Sequence, residues 1–213
     1  RDTDFAPVVM TVTQPMVLIV PPKSAAGSVQ ELIAMARTTP GKLDYASAGN
    51  GSPNHLAAEL FRTMTKIDLV HVPYKGSAPA EIDIMAGRVA LFVDTMLSAM
   101  PFVKDGRVKA LAVTGPKRSA ALPAVPTVAE SGVPGYAFLT WNGFFVPAGT
   151  PPAIIARLNG EIARILQSPE IEKRLTGEGA DIAAGTPEAF GAFVKSERQK
   201  LAKVIRDAGI RID

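Results

Sequence analysis

Short apolar runs alternate along the chain with stretches in which apolar residues recur every three or four positions. The first pattern predicts strands and the second predicts amphipathic helices. The predicted strands cover residues 8–12, 16–20, 43–47, 69–72, 89–93, 110–113 and 138–146. Because strands and helices take turns along most of the chain, the pattern predicts an α/β fold with a mainly parallel sheet.

Capping residues mark where the predicted helices begin and end. Ser28 and Glu31 form a capping box before a helix that Pro40–Gly41 ends. Thr150–Pro151 and Thr186–Pro187 each place a hydroxyl group directly before a proline. That order predicts a hydroxyl N-cap followed by proline at the first helical position, so we expect two long helices near the C-terminal end.

Composition narrows the class of protein. With 213 residues, of which 47% are hydrophobic, the chain can bury a substantial core. The net charge of +3 comes from Lys and Arg spread along the chain, so no nucleic-acid partner is expected. The longest apolar runs, such as Met16–Val20, are too short to span a bilayer. No signal-peptide pattern follows Arg1, and such a start is typical of a processed or truncated chain.

The sequence contains few residues suited to metal or redox chemistry. It has no Cys, which excludes disulfides, thiol nucleophiles and Cys-rich zinc sites. It has two His, which do not form an H-x-x-x-H pair. Neither a metal site nor a cofactor is therefore expected.

The sharpest local feature is a Gly- and Ser-rich segment, Ser47–His55, between a predicted strand and a predicted helix. Glycines let the backbone approach a ligand closely, and the start of a helix offers unpaired N–H groups to an anion. An equally good interpretation is a plain turn in which Ser52 or Asn54 caps the helix. The segment is not a P-loop, since no Gly-Lys-Ser/Thr follows, and Asn54 occupies the third Gly position of a dinucleotide fingerprint.

A hydrolase is the alternative chemistry. A Ser/His/Asp triad could combine Ser47 or Ser52, His55 or His71, and Asp94. However, the G-x-S-x-G pentad of a nucleophile elbow does not occur, and the spacing of Ser52 and His55 favours a local helix cap. An α/β hydrolase- or transferase-like enzyme that uses the Gly-rich loop as an anion site is the second functional hypothesis.

Two further strand ends carry polar residues. Tyr74 and Lys75 follow one predicted strand, and Asp94 ends the most apolar one. Taken singly, Tyr74 is more typical of a packed ring, Lys75 of a solvated cation and Asp94 of a helix cap. Parallel strands place their carboxyl ends at one edge, where α/β proteins bind ligands. Three such ends in one chain therefore favour a binding site.

Five segments resemble, in the same order and with similar spacing, the Bug solute-binding receptors of tripartite tricarboxylate transporters. These segments are Pro40–Phe61, His71–Ala80, Lys109–Thr114, Leu122–Tyr136 and Trp141–Pro151. They cover essentially the whole chain, and several long motifs in register are far more specific than one Gly-rich loop. The resemblance implies a non-enzymatic periplasmic receptor with a two-lobed periplasmic-binding-protein fold of type II.

The resemblance also implies a ligand class, a partner and a site. The ligand would be a small carboxylate: a di- or tricarboxylate, an acidic amino acid or an aromatic acid. The partner would be the membrane subunits of a tripartite transporter. Such receptors tend to hold a carboxylate with backbone amides, hydroxyls and water. By position, the implied ligand-binding residues are Ser47, Gly49, Asn50, Gly51, Ser52, His55, Tyr74, Lys75 and Asp94.

The start of the chain departs from the family pattern. Bug receptors begin with a strand and a Pro-Phe-Pro-x-Gly-Gly type loop that supplies the other jaw of the site, whereas Asp4–Val8 resembles a point well inside the family sequence. The resemblance therefore implies an incomplete first lobe, whose exposed face could drive oligomerisation; a lone interaction domain is the third hypothesis. The expected parts are a remnant of the first lobe (1–14), a ligand-binding second lobe (15–123), a proline-rich connection (124–136) and the rest of the first lobe (137–213).

Overall fold

The computed structural model describes residues 4–210 and confirms the α/β class. The strands are β1 (Phe5–Val20), β2 (Asp44–Ser47), β3 (Val70–Pro73), β4 (Leu91–Thr95), β5 (Lys109–Val113), β6 (Leu139–Pro147) and β7 (Asp181–Ile182). The helices are α1 (Val29–Thr38), α2 (Pro53–Thr65), α3 (Ser77–Met85), α4 (Met96–Lys104), α5 (Pro152–Leu166), α6 (Pro169–Gly177) and α7 (Pro187–Ala208). Among the described residues, no helix combines the length and the apolar character needed to cross a membrane.

The chain divides into two compact units. Unit 1 comprises residues 1–14 and 140–202, and unit 2 comprises residues 15–139 and 203–213. The outer limits of the expected lobes, at residues 1 and 213, lie outside the described residues.

The proline-rich segment 124–136 lies within unit 2. The N–H of Val113, at the end of β5, donates to the carbonyl of Pro126 over 2.8 Å. Val128 and Tyr136 are buried, and the Tyr136 hydroxyl donates to the carbonyl of Ala57 in α2 over 3.0 Å. Apolar side chains thus anchor a segment that shows little periodicity of its own.

The sheet of unit 2 has the strand order β3-β2-β4-β1-β5. β2 pairs in parallel with β3 and β4, whereas β1 pairs antiparallel with β4 and β5. Four strands therefore run in one direction, and β1 runs against them. The chain passes from β4 through α4 to β5, and this crossover leaves between two parallel strands the position that β1 fills. The prediction of mainly parallel strands holds in unit 2 with that exception.

In unit 1, β1 also pairs with β7, a two-residue strand that the sequence did not predict. Val12 and Thr13 pair antiparallel with Ile182 and Asp181. β6 also pairs with β1.

Two predicted strands, 8–12 and 16–20, form the single strand β1. Pro15, in the gap between the two predicted strands, lies between the residues that pair with β7 and those that pair with β4 and β5. Proline is compatible with extended backbone where its missing N–H is not needed by the ladder. The predicted break was therefore wrong because the ladder changes partners at that point.

Two of the predicted helix caps are confirmed and one is corrected. Ser28 caps α1 by accepting from the N–H of Glu31, and Thr186 accepts from the N–H of Ala189 at the start of α7. α5 instead begins after Pro151, and the Thr150 hydroxyl donates to the carbonyl of Pro147. The sequence did not predict α6, which buries no side chain and so shows no apolar stripe.

The core of unit 2 lies on the sheet and under α3 and α4. Its members are mainly branched aliphatic and aromatic residues that are almost completely buried, among them Val17, Ile19, Phe92, Met96, Ile84 and Val113. Each large side chain of this kind contributes about 1.5–3 kcal/mol through its removal from water. This core fixes the strands whose ends build the site.

Thr114, directly after β5, joins two segments inside this unit. Its fully buried hydroxyl accepts from the N–H of Met16 over 2.7 Å and donates to the carbonyl of Phe138 over 2.7 Å. Thr114→Val keeps the shape of the side chain but removes both of these buried hydrogen bonds. We expect the free energy of unfolding to fall by about 2–4 kcal/mol.

Urea unfolding followed by circular dichroism measures this loss. Thr114→Ser keeps the hydroxyl and removes only a methyl group, so it is the matched control and should cost about 1 kcal/mol. Equal stability of the Val and Ser variants would show that the two hydrogen bonds contribute nothing.

Candidate ligand-binding site

Three parallel strands end at the same edge of unit 2, and a helix begins shortly after each. β2, β3 and β4 are followed by α2, α3 and α4. The first N–H groups of a helix lack intrahelical acceptors and carry a partial positive charge. Three helix N-termini at one edge therefore create an environment that favours an anion.

The Gly-rich turn between β2 and α2 has a backbone that only glycine adopts easily. Gly49 has φ +132° and Gly51 has φ +73°. A Cβ atom on Gly49 would lie 3.3 Å from the carbonyl oxygen of Tyr74. The turn is closed by a hydrogen bond of 3.2 Å from the Ser52 N–H to the Gly49 carbonyl. These contacts explain why the sequence places glycine at both positions.

The same turn also caps α2. The Ser52 hydroxyl accepts from the N–H of His55 over 3.3 Å, so Ser52 rather than Asn54 is the N-cap. The two interpretations of this segment, cap and close-approach turn, are thus both compatible with one structure.

Most N–H groups of the turn have acceptors within unit 2. The Gly49 N–H donates to Ser47 Oγ over 3.1 Å, and the Gly51 N–H donates to His55 Nδ1 over 3.1 Å. Asn50 is exposed and makes no hydrogen bond within residues 4–210. The two glycine amides therefore shape the turn, and Asn50 is the member with free polar groups.

Two histidines lie behind the turn and stack on each other. The ring centroids of His55 and His71 are 3.9 Å apart with an interplanar angle of 11°. His71 Nε2 lies 2.6 Å from Ser47 Oγ, and its ring also stacks on Tyr45 at 4.9 Å. Burial lowers the pKa of His55, and burial together with the neighbouring His55 lowers the pKa of His71 to about 4. Both rings are therefore neutral at pH 7.

An ion pair between two residues of α2, Glu59 and Arg62, lies next to this stack and bonds to Tyr45. The Tyr45 hydroxyl donates to Glu59, and Arg62 donates to the same carboxylate over 2.7–3.0 Å through Nε and Nη2. Burial and the Glu59 carboxylate raise the pKa of Tyr45. These side chains and the two imidazoles line a polar cavity of about 370 Å³.

Asp94, at the end of β4, is fully buried and connects the starts of the three helices. Its Oδ1 accepts from the Thr95 N–H at 2.8 Å, from Ser77 Oγ at 3.1 Å and from Asn54 Nδ2 at 3.2 Å. Its Oδ2 has no donor in the described part of the chain. Burial raises the pKa of Asp94 to about 7, and the nearby Glu81 carboxylate adds to this shift.

Sequence reasoning missed Asn54 and Ser77 as supports of this site. Neither residue was predicted to be a hydrogen-bond partner of Asp94. Asn54 Nδ2 also donates to the carbonyl of Val93 over 2.9 Å, so it pins α2 to β4. The only signal in the sequence was their place at helix starts, which predicts caps and not contacts across the sheet.

Tyr74 and Lys75 follow β3 and differ in environment. The Tyr74 hydroxyl donates to Asp83 over 2.8 Å, and burial followed by this hydrogen bond raises the pKa of Tyr74 to about 12. Lys75 is exposed and forms no ion pair within residues 4–210. Lys75 is thus a cation available at the same edge.

The nine residues singled out from the sequence all lie in unit 2, and burial divides them. Ser47, His55 and Asp94 are buried, so they support the edge from behind. The others are exposed or half-buried: Gly49, Asn50, Gly51, Ser52, Tyr74 and Lys75.

A hydrolytic triad does not form here. Ser47 Oγ does contact His71, but Ser47 is fully buried and cannot meet a substrate. The Asp94 carboxyl group bonds to Asn54, Ser77 and Thr95 and orients neither imidazole. No group of three or more His, Asp or Glu side chains within residues 4–210 is placed to hold a metal ion.

Asp94 makes the stability of the chain depend on pH. Its pKa is about 3.8 when exposed and about 7 in the folded chain, so between these values the folded state binds more protons. The free energy of unfolding therefore loses roughly 2–4 kcal/mol as the pH rises from 4 to 7.

Asp94→Asn keeps the acceptor oxygen but cannot titrate, so this fall should disappear from its urea-unfolding profile. Asp105→Asn, at the exposed end of α4, is the matched control and should keep the wild-type profile. A pH slope that persists in Asp94→Asn would place the titration elsewhere.

Comparison with known proteins identifies the family of this chain. The pattern of the tripartite tricarboxylate transporter family receptors, TctC, matches residues 1–210. A curated relative, the UPF0065 protein in the tcbD-tcbE intergenic region of Pseudomonas sp. (strain P51), is 43% identical over 205 residues. The match covers 96% of this chain, and the chain spans 61% of the length of that relative.

Solved structures show the same fold. R. palustris Rpa4515 with adipate has a TM-score of 0.88 and 39% identity, covering 97% of this chain and 69% of that one. MatC (Rpa3494) from Rhodopseudomonas palustris with bound malate has a TM-score of 0.84 and 30% identity, covering 96% and 70%. These likenesses confirm the predicted periplasmic-binding-protein fold. The chain belongs to the TctC family, the receptors of tripartite tricarboxylate transporters.

Proposed function

We propose that this chain is part of a periplasmic receptor that captures a small carboxylate and delivers it to the membrane subunits of a tripartite transporter. The ligand is a di- or tricarboxylate, an acidic amino acid or an aromatic acid. The observation that carries this proposal is the convergence of three helix N-termini at one edge of unit 2, beside a turn that only glycine fits. The adipate and malate bound to the two solved relatives support the ligand class.

The proposed contacts lie on the accessible side of this edge. Asn50 and Lys75 offer a free amide group and a free ammonium group, and Ser52 and Tyr74 are half-buried. Gly49 and Gly51 let the backbone come close. A carboxylate held in this way gains charge-assisted hydrogen bonds of about 1.5–3 kcal/mol each.

The buried members hold the edge in place. Asp94 fixes the starts of α2, α3 and α4, and Ser47 and His55 fix the turn. In this proposal unit 2 is the lobe that supplies the ligand site. Delivery requires that ligand binding favour the state that the membrane subunits recognise, which in turn requires tighter binding in that state.

Titration of the ¹⁵N-labelled chain with adipate, malate, aspartate and benzoate tests the ligand class. At least one acid should shift the amide signals of Asn50, Gly51, Lys75 and Gly76 in a saturable way. Gly51→Val should abolish these shifts, because a β-branched side chain at φ +73° distorts the turn.

Gly106→Val is the matched control, since Gly106 has φ +68° in a turn on another side of unit 2 and has open space around it. Both variants carry similar backbone strain, but only Gly51→Val should lose the ligand. The proposal fails if none of the four acids shifts any of these signals at millimolar concentration.

Self-association through unit 1 is a further partner proposal. Several large apolar side chains of unit 1 are exposed, with Phe144 at 55%, Ile154 at 50% and Ile165 at 52%. An apolar surface of this kind supports association with a second copy. Light scattering should show a mass that rises with concentration, and Ile154→Lys with Ile165→Lys should abolish the rise.

Ile82→Lys is the control for this experiment, because Ile82 is 60% exposed but lies in unit 2. A constant monomer mass in the wild-type chain would exclude this association.

A further inference from the structure

The amides of Gly49 and Gly51 are connected by hydrogen bonds, directly or through Ser47, to the imidazoles of His55 and His71. The Gly51 N–H donates directly to His55 Nδ1 at 3.1 Å. The Gly49 N–H donates to Ser47 Oγ at 3.1 Å, and that oxygen lies 2.6 Å from His71 Nε2. His55 comes from α2 and His71 from β3, and their rings stack at 3.9 Å. The turn is thus held from two elements at once.

The hydrogen bonds define the protonation of the pair. His55 accepts at Nδ1, so its proton resides on Nε2. Ser47 Oγ accepts from Gly49 and has one proton to donate; the approach to His71 Nε2 is shorter than the 3.2 Å approach to the Gly49 carbonyl. We assign the Ser47 proton to this shorter contact, which makes His71 the acceptor at Nε2. Each imidazole must be neutral to serve as an acceptor.

The charged groups around His55 and His71 do not disturb these hydrogen bonds. Tyr45 stacks on both rings, and its hydroxyl group donates to Glu59. Glu59 is in turn bound by Arg62. Neither the carboxylate nor the guanidinium competes for the imidazole nitrogens that face the turn.

We propose that His55 and His71 are positioning residues that fix the Gly49–Ser52 turn in the one conformation that presents Asn50 and the start of α2 to a carboxylate. The inference deepens the function proposed above and rests on it. Two glycines give a free turn wide conformational freedom, and ordering costs about 1–2 kcal/mol per residue. Because the imidazoles order the turn when the chain folds, ligand binding does not carry this loss of conformational entropy.

Variants that keep or remove one acceptor test this role. Asn carries a polar atom where His has Nδ1, and Gln carries one where His has Nε2. His55→Asn and His71→Gln can therefore rescue the hydrogen bonds, whereas His55→Leu and His71→Leu cannot. Adipate is the probe, and its Kd is measured by calorimetry at a temperature where all variants are folded.

We expect each Leu variant to raise the Kd for adipate about tenfold and each rescue variant to restore most of the affinity. Hydrogen exchange of the ligand-free chain gives an independent readout. The Gly51 amide should exchange faster in His55→Leu, and the Gly49 amide faster in His71→Leu, with little change elsewhere. Leu variants with wild-type exchange at both amides would overturn the proposal, as would Leu variants with wild-type affinity.

A pH titration adds a signature that a purely structural role lacks. The Gly51 amide shift should follow the protonation of His55 and the Gly49 amide shift that of His71, both below pH 6.5, because burial favours the neutral rings. Glycine shifts that stay constant while the histidines titrate would contradict the inference. If the wild-type chain binds no acid, the proposed function fails, but exchange and titration still decide the role of the histidines.

Discussion

The buried carboxyl group of Asp94 is the point on which the edge of unit 2 depends. One of its oxygens accepts hydrogen bonds from residues at the starts of α2, α3 and α4, so a single side chain sets the positions of three helix N-termini. Those N-termini have the same partial charge and repel one another unless an anion lies among them. Asp94 supplies part of that anion from within the fold, at a cost in desolvation that raises its pKa.

The Gly-rich turn depends on a second set of buried groups. A turn with two glycines has little intrinsic shape, and here it receives its shape from acceptors behind it, namely Ser47, His55 and His71. The accessible face of the turn therefore consists mainly of backbone, while the side chains that fix its conformation lie behind it. Neutral imidazoles suit this purpose because they accept hydrogen bonds without adding a charge beside the turn.

The contact between Ser47 and His71 shows why local chemistry alone is a poor guide to function. A serine and a histidine 2.6 Å apart could be two of the three members of a hydrolytic triad. Burial of the serine, and the engagement of Asp94 with helix N-termini, turn the same residue types into a structural network. Membership of a receptor family agrees with that interpretation.

Local pattern was enough to predict much of this protein: the alternation of strands and helices, the Ser28 and Thr186 caps and the Gly-rich turn. These features depend on residues near one another in sequence, where periodicity and capping chemistry act directly. Tertiary structure alone decided the direction of β1 in the sheet, the stacking of His55 on His71 and the burial of Ser47 and Asp94. Each of these features depends on contacts between different elements. The periodicity within one element does not determine which neighbour its faces pack against.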